Sequence, residues 1–377
     1  MLSLVPLILL MGLKGFLVLS VLILVHELGH FIVARWFGVW AEEFGLGLPP
    51  RALGKKIGET IYSLNWLPIG GFVKLHGETL SEKPEFPEKA FTGKSKIARA
   101  VISLAGVVMN FILALICFAI VYSFVGIPRE TGNIRITDIS AASPAQVAGI
   151  LVGDVVRKVD KEAVGTTKGF IAYIEEHKGK TVKIEVERTV ENVVERKIIS
   201  LIPRQIPPEG EGPLGVAITS TEIYFPPIWQ RPFVGAWYGA GEAVSTSRAV
   251  VLGLFGVAGD VSHGQIPKGT VGPFGIFALI EYVSRQGLLP LIQFIGLVSI
   301  NLAIINLVPF PPLDGSRVFF IGIEALVGRK MLPKIENIVQ SVGMGLLLLL
   351  MLAITIREVP AAIRAGTITK FVESIVK

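Results

Sequence analysis

The chain has 377 residues, of which 51% are hydrophobic and 18% charged, and its mean hydropathy is +0.63. Soluble proteins of this length carry more charge, so this composition, with long apolar blocks between polar stretches, excludes an ordinary soluble enzyme and favours a membrane protein with a water-exposed part. The net charge of +6 does not indicate nucleic-acid binding, because basic residues are scattered among acidic ones, and the single cysteine excludes an intrachain disulfide or a Cys-rich metal site.

Four apolar segments are long enough to cross a bilayer as helices, which takes about 20 residues each. They cover residues 15–37, 97–125, 288–308 and 338–356. The amino terminus lacks the basic region and small-residue cleavage site of a signal peptide, so we expect it to remain as an anchor. The expected fold class is a polytopic α-helical membrane protein with four transmembrane helices.

The segments between these helices differ in character. Glycine, proline, aromatic and β-branched residues mix in the first of them, which predicts a β-loop at the membrane face. A later segment alternates strand and helix patterns and predicts one inserted α+β domain, followed by a linker and an interfacial amphipathic helix. The predicted domains are residues 1–37 and 97–128 (first and second transmembrane helices), 38–96 (β-loop), 129–205 (α+β domain), 206–287 (linker and amphipathic helix) and 288–377 (third and fourth transmembrane helices).

The first apolar segment contains His26, Glu27 and His30 in the pattern HExxH. Positions i and i+4 share one face of a helix, so both imidazoles can bind one Zn²⁺, and the glutamate can take a proton from water there. Two core histidines that only form hydrogen bonds are the alternative. That alternative is weak at membrane depth, where a His/Glu cluster without a functional partner is costly.

A catalytic zinc site needs a third protein ligand and an open position. The remaining three histidines are poor candidates because they lie outside the apolar segments. Asp314 follows the third apolar segment after a proline-broken helix end, where irregular backbone can line a polar cavity. Taken alone, this Asp-Gly pair would indicate only a turn; together with HExxH it indicates a metal ligand.

These motifs together resemble the site-2 protease family, whose members are membrane-embedded zinc metalloproteases. HExxH lies in a first membrane helix, and NLVPFPPLDG (residues 306–315) follows a later one. Three further stretches are similar to family motifs: GVVMN (106–110), GGFVKLHGE (70–78) and GPFGI (272–276). The α+β insert carries SPAQVAGILVGD (143–154), which resembles bacterial PDZ domains. One such domain between the second and third helices is typical of the regulator-of-sigma-E protease branch.

The resemblance implies a role for each matching residue. His26, His30 and Asp314 would bind zinc, and Glu27 would act as general base and then as general acid. Asn306 would hold a substrate strand, and Asn110 would contact substrate or, equally, form an interhelical hydrogen bond. An edge strand at Gly70 and Gly71 could hold an unwound substrate by β-addition, although a structural turn there is the alternative.

The PDZ-like domain has two possible roles. It could bind a peptide or chain end between the strand at 134–139 and the helix at 170–176. It could instead act as a steric gate that excludes substrates with bulky outer domains. The sequence leaves both open.

The resemblance also implies the reaction and its place. The expected function is regulated intramembrane proteolysis of single-pass transmembrane proteins, such as anti-sigma factors or signal-peptide remnants, after a first cut outside the cytoplasm. Lysines in the loop at 55–96 and basic residues at 317–334 favour a cytoplasmic active site, with the PDZ-like domain and both termini outside the bacterial cytoplasmic membrane. A non-catalytic PDZ-containing scaffold and a transporter with a midplane ion site are the two alternatives.

Overall fold

The computed structural model describes residues 4–78, 84–160, 162–190, 193–263, 271–328 and 333–376. The chain forms two compact units, one of Met1–Phe124 with Trp229–Lys377 and one of Val125–Ile228. In chain order, the first unit contains α1 (Leu4–Trp36), β1 (Ala41–Ile57), β2 (Thr60–Leu75), two 3₁₀ turns (Pro87–Lys89 and Phe91–Gly93) and α2 (Lys96–Val125). The second unit contains β3 (Ile127–Ile139), α3 (Pro144–Val147), β4 (Val155–Val159), β5 (Glu162–Ala163), α4 (Thr167–Glu176), β6 (Val182–Val190), β7 (Val193–Leu201) and β8 (Val216–Tyr224). The first unit then resumes with α5 (Arg231–Ser262), α6 (Pro273–Gln286), α7 (Leu288–Leu307), α8 (Asp314–Val327), α9 (Pro333–Ala365) and α10 (Ile368–Val376).

Among the described residues, four helices are long and apolar enough to cross a membrane. Their candidate spans are Met11–Trp36, Lys96–Val125, Leu288–Leu307 and Ile338–Ala365. The predicted number of transmembrane helices is therefore confirmed. The fourth span continues beyond the predicted end at 356, because the charge of Glu358 does not stop the helix.

Glu358 lies in α9 with only 3% of its surface exposed, and its carboxylate accepts two backbone hydrogen bonds from the start of α6. The amide of Gly272 donates to it at 2.6 Å and that of Gly275 at 3.0 Å. The first amides of a helix lack intrahelical partners and favour negative charge, so this carboxylate caps α6. A Cβ atom on Gly275 would lie 2.5 Å from the carboxylate, which explains the glycines of the GPFGI motif.

α1 and α2 pack with their backbones in direct contact. A Cβ atom on Gly29 would lie 2.4 Å from the carbonyl oxygen of Ala105, so only glycine permits this approach. Small residues at such crossings are typical of membrane helix pairs. The contact brings the HExxH turn of α1 against the middle of α2.

β1 and β2 form the predicted β-loop as a folded hairpin rather than a simple ladder. Residues 43–46 of β1 pair with 61–64 on one side and with 71–74 on the other. Glu42 joins the two strands, since its carboxylate contacts Lys74 at 2.7 Å and His76 at 2.8 Å. Burial acts to raise the pKa of Glu42, but these hydrogen bonds outweigh it and hold the pKa below its ordinary value of 4.5.

The predicted amphipathic helix corresponds to α5, which packs lengthwise on α2. Cβ atoms on Gly235 and Gly239 would lie 2.7 and 2.8 Å from backbone atoms of Ala119. Further along, Ala243 packs in a buried cluster with Ala114 of α2. The spacing of four residues places these small residues on one face of α5. Because their neighbours on α2 change from Ala119 to Ala114 as α5 advances, the two helices run antiparallel. α6, which follows it, was not predicted and lies in the segment assigned to the linker.

The second unit is an α+β domain with its own hydrophobic core, which includes Ile134, Val156, Phe170 and Val186. Its sheet has the strand order β7-β6-β4-β3-β8, with β5 paired to β4. The unit extends past the predicted end at 205, because β8 pairs antiparallel with β3 from Ile139↔Val216 to Ile127↔Tyr224.

This order changes the predicted peptide-binding strand. Residues 134–139 belong to β3, which has β4 on one side and β8 on the other and is therefore an inner strand of the sheet. In the part of the unit that the structure describes, the edge strands of this path are β7 and β8. The expectation that 134–139 receives a peptide is therefore wrong, because β-addition needs an unpaired strand edge.

Candidate active site

Three atoms of metal-ligand type converge where α1 meets α8. His26 and His30 lie on one face of α1 and are each 8% exposed, and Asp314 is the first residue of α8. Oδ2 of Asp314 lies 2.9 Å from Nε2 of His26 and 3.2 Å from Nε2 of His30, and the two nitrogens are 3.2 Å apart. Among the described residues this is the one group of His, Cys, Asp and Glu side chains close enough to share an ion.

The geometry of this triangle fits zinc. With ligand bonds of about 2.0–2.1 Å, tetrahedral coordination separates ligand atoms by about 3.3 Å. The observed separations of 2.9–3.2 Å are close to that value. Two imidazoles and one carboxylate also match the donor set of catalytic zinc sites, which leave a fourth position open.

Gly106 of α2 provides the space in front of the two imidazoles. A Cβ atom at this position would lie 2.5 Å from Nε2 of His30 and 2.6 Å from Nε2 of His26. Any side chain would therefore occupy the volume that both nitrogens face. This cradle is a second observation, independent of the donor set, that fits a bound ion.

α2 also orients His30. Nδ1 of His30 lies 2.8 Å from the carbonyl oxygen of Ile102, and a carbonyl can only accept a hydrogen bond. Nδ1 therefore carries a proton and donates it, which leaves Nε2 of a neutral ring with its lone pair facing the site. His30 is thus held in the tautomer that metal binding through Nε2 requires.

Asp314 is fixed through the helix that it starts. Near the other end of α8, both carboxylate oxygens of Glu324 accept hydrogen bonds from Arg99 of α2 at 2.7 Å. Because Arg99 is one helical turn before Ile102, the same part of α2 holds α8 and His30.

Glu27, which is next to His26 on α1, also contacts the β-loop. Its Oε2 accepts a hydrogen bond of 3.1 Å from the backbone amide of Val73 in β2. A Cβ atom on Gly71 would lie 3.8 Å from Cγ of Glu27, an ordinary contact distance, and 3.1 Å from the carbonyl oxygen of Gly45 in β1. Gly70 has a φ of +78°, a left-handed conformation that favours glycine, and packs beside Ile23 one turn earlier on α1.

A cavity of about 190 Å³ opens beside these groups, lined among others by Glu27, His30, Ser103, Asp314 and Arg317. A water molecule takes up about 30 Å³ in the liquid, so several can enter. The hydroxyl of Ser103 is buried and has no hydrogen-bond partner among the described residues. The cavity thus combines room for water with a polar lining at the depth of an apolar helix.

Comparison with known families decides what kind of site this is. The sequence profile described as Peptidase family M50 matches residues 14–350. The chain belongs to this peptidase family. The match includes the second and third candidate membrane helices, reaches into the first and the fourth, and contains both halves of the site, so the M50 assignment rests on nearly the whole chain.

Three relatives are similar to this chain over about nine tenths of its length. The M50 chain is 35% identical over 344 residues to a Clostridium acetobutylicum protein named as a candidate zinc metalloprotease, covering 90% of this chain and 94% of that one. It is 27% identical to the zinc metalloprotease RasP of Oceanobacillus iheyensis, with 91% and 97% covered. It is 24% identical to the regulator of sigma-W protease RasP of Bacillus subtilis, with 91% and 96% covered.

Membership of the M50 family confirms the predicted enzyme class. The chain is a zinc metalloendopeptidase of the site-2 protease type, with Zn²⁺ as its cofactor. The chain is therefore neither a non-catalytic scaffold nor a transporter, the two alternatives that the sequence left open. With four apolar helices, it is a multi-pass membrane protein.

The structure brings four of the predicted site residues together, and places Asn110 and the two glycines next to them. His26, Glu27, His30 and Asp314 meet at one site, with Gly70 and Gly71 packed on the α1 side of it. Asn306 is half-buried in the last turn of α7. The side chain of Asn110 is fully buried against His26, with Nδ2 at 3.3 Å from Nδ1 of the imidazole.

Sequence reasoning missed the contribution of α2. Arg99 and Ser103 were not singled out, and Gly106 was named only as part of the GVVMN motif. With Asn110, these residues recur every three or four positions and so share one helix face. Polar and small residues at that spacing in an apolar helix are a signal of a functional or closely packed face. That signal was present in the sequence.

Proposed function

We propose that this zinc metallopeptidase hydrolyses peptide bonds within the apolar segments of single-pass transmembrane proteins. The observation that carries the proposal is the position of the ligand triangle and Glu27. His26, Glu27 and His30 lie within the candidate span Met11–Trp36, and α2 and α7 around them are also candidate spans. Charged and metal-binding groups are energetically costly within the membrane, and their presence there indicates a functional site.

The ligand triangle supports His26, His30 and Asp314 as the residues that hold Zn²⁺. When bound there, zinc would supply Lewis-acid activation of water and of the scissile carbonyl. The carbonyl of Ile102 keeps His30 oriented, and the Arg99–Glu324 pair keeps α8 in place, so the ligands are held before the ion binds. Pre-arranged ligands lower the reorganisation that binding requires.

Glu27 is the general base of the proposed reaction. It removes the proton from the attacking water and later donates that proton to the leaving amine. The amide of Val73 keeps its carboxylate in place at 3.1 Å. The neighbouring polar cavity has room for water, so hydrolysis can proceed on an otherwise apolar helix.

The substrate would be held as an extended strand, because a helix hides its carbonyl groups in its own hydrogen bonds. Residues 71–74 form the outer strand of the hairpin and pass directly beside Glu27. β-addition along this strand would present scissile carbonyls to the base, with Gly70 and Gly71 allowing close approach. Asn306 would then bind the opposite side of the substrate strand.

The second unit would act on substrates as a PDZ-like domain. Its α+β fold supports this assignment, and so does the SPAQVAGILVGD stretch, which contains α3. A peptide or chain end would pair with the edge of β8 and lie beside α4. Exclusion of substrates with bulky outer domains is the second candidate role, and both depend on the same unit.

The name of the Bacillus subtilis relative, regulator of sigma-W protease, supports a substrate class. We infer membrane-anchored regulators of sigma factors, or signal-peptide remnants, that have already lost their outer domain to another protease. The site would lie near the cytoplasmic side of the bacterial cytoplasmic membrane, with the PDZ-like unit and both termini outside. Lys55, Lys56 and Arg317 support this orientation; Arg329 and Lys330, which were also used for it, lie outside the described residues.

The proposal is tested with purified protein in lipid vesicles and a single-span model substrate. Wild-type protein should cleave it, and a zinc chelator should stop cleavage until zinc is restored. Glu27→Gln should bind zinc but cleave at least about a thousandfold more slowly, since it loses the proton-transfer group. Glu59→Gln, at an exposed turn of the hairpin, is the matched control and should cleave normally. Cleavage by Glu27→Gln at the wild-type rate would refute the proposal.

A further inference from the structure

The side chain of Asn110 lies buried against His26, one of the three residues of the ligand triangle. It is fully buried in α2, and its Nδ2 lies 3.3 Å from Nδ1 of His26. Its Oδ1 is buried without a hydrogen-bond partner among the described residues. Among the described residues, the one hydrogen-bond contact of this side chain is therefore with His26.

The chemistry of His26 requires a hydrogen-bond acceptor at this contact. Nε2 of His26 faces Asp314 and His30, so a neutral ring that binds an ion through Nε2 must carry its proton on Nδ1. A protonated Nδ1 needs an acceptor, and an amide nitrogen cannot serve as one. Rotation of the amide by half a turn exchanges Nδ2 and Oδ1, whose positions are otherwise equivalent in shape.

We infer that Asn110 is a positioning residue whose carbonyl oxygen accepts the Nδ1 proton of His26 and so fixes the tautomer that binds zinc. This rotation gives His26 its acceptor and places Nδ2 where Oδ1 lies here. The arrangement parallels His30, whose Nδ1 donates to the carbonyl of Ile102. Both imidazoles are then oriented by acceptors on the same helix, α2. The inference replaces the predicted substrate contact and rests on the proposed role of His26 as a zinc ligand.

The backbone of Asn110 is held independently of its side chain. Its carbonyl oxygen accepts a hydrogen bond of 2.8 Å from the hydroxyl of Ser299 in α7, and Ser299 is fully buried. This bond joins α2 to α7 at the level of His26. Ser299→Ala therefore provides a matched control, because it removes a buried hydrogen bond from the same residue without touching the amide.

The test measures the zinc affinity of metal-free protein in detergent by competition with a chromophoric chelator. Asn110→Leu and Asn110→Ala remove the acceptor and should weaken zinc binding about 10–100-fold, the usual effect of losing such a partner. Asn110→Asp keeps an acceptor of the same shape but lacks the amide donor, and should bind zinc as tightly as wild type or more tightly. Ser299→Ala should lower the unfolding temperature while its zinc affinity stays near wild type.

The aspartate variant decides the inference even if the leucine variant fails to fold. Zinc binding by Asn110→Asp as weak as by Asn110→Ala would overturn it, because an acceptor alone would then be insufficient. Wild-type affinity in Asn110→Ala would overturn it as well. As a second measure, visible absorption of bound Co²⁺ should be altered by Asn110→Ala and unaltered by Asn110→Asp. His26→Ala separates the two proposals: if it binds zinc normally, the ligand assignment fails and this inference with it; if it loses zinc while Asn110→Ala does not, only this inference fails.

Discussion

Replacement of Gly106 by alanine should abolish tight zinc binding through one methyl group. The Cβ atom would lie 2.5 Å from Nε2 of His30 and 2.6 Å from Nε2 of His26. Non-bonded carbon contacts are favourable at about 3.5–4.0 Å, so the two nitrogens must retreat by about 1 Å. Zinc ligands tolerate errors of only about 0.2 Å in bond length.

The surrounding structure offers little relief from this clash. Movement of α2 away from α1 would break the hydrogen bond from His30 to Ile102 and separate the backbone contact at Gly29. We therefore expect zinc affinity to fall at least about 100-fold, or about 2.7 kcal/mol of binding free energy. Proteolytic activity at limiting zinc should fall in parallel.

The assay is competition between metal-free protein and a chromophoric chelator, with Gly12→Ala as control. Gly12 lies in α1, where a Cβ atom would meet nothing within 4 Å, so its replacement should leave zinc affinity unchanged. Thermal unfolding of the metal-free variants shows whether each is folded. A folded Gly106→Ala protein that binds zinc like wild type would refute the reasoning that α2 forms the cradle.

Three further predictions follow from ion pairs and caps outside the ligand triangle. Removing one partner of the buried Arg99–Glu324 pair should cost about 3–5 kcal/mol of stability and loosen zinc binding, whereas changing both residues to leucine should cost much less. Denaturation of the two single variants and of the double variant checks this. Equal losses of stability in all three would contradict it. The pKa of Glu42 is lowered on folding, so its contribution is complete above its unfolded pKa of about 4.5 and is lost as pH falls through the folded value. The unfolding temperature of Glu42→Gln should therefore fall less than that of wild type between pH 7 and pH 4, and an identical fall would count against this pairing. Glu358→Leu should lower stability by about 1–3 kcal/mol for each of the two α6 amides left unpaired, measured by thermal unfolding, and an unchanged unfolding temperature would show that the cap does not stabilise α6.

The chemistry of the site was more predictable from sequence than its support. HExxH carries its own geometry, since i and i+4 share a helix face, and an acidic residue after a broken helix supplied a plausible third ligand. The role of α2 depends on how closely two helices approach. That distance is set by glycines at 29 and 106, but glycine is frequent in membrane helices in general, so its presence alone does not identify a crossing point.

The parts of the fold that were missed depend on long-range pairing. β8 follows a proline-rich stretch and acquires its role only by pairing with β3, which lies on the far side of the domain sequence. α6 is short and begins with a Gly-Pro pair that is typical of a turn, and its cap, Glu358, comes from α9. Local propensity carries no information about β3 or Glu358, the distant partners of these two elements. The edge strand and the capped helix were therefore both assigned to a linker.

The central claim, zinc-dependent hydrolysis inside the membrane, is tested most directly by the masses of the two products from a single-span substrate. We expect one scissile bond within the apolar span of the substrate, cut only by zinc-loaded protein with Glu27 intact. In water labelled with ¹⁸O, one labelled oxygen should enter the new carboxyl terminus. A cut confined to the polar flanks of the substrate, or the same products from Glu27→Gln, would contradict hydrolysis at this intramembrane site.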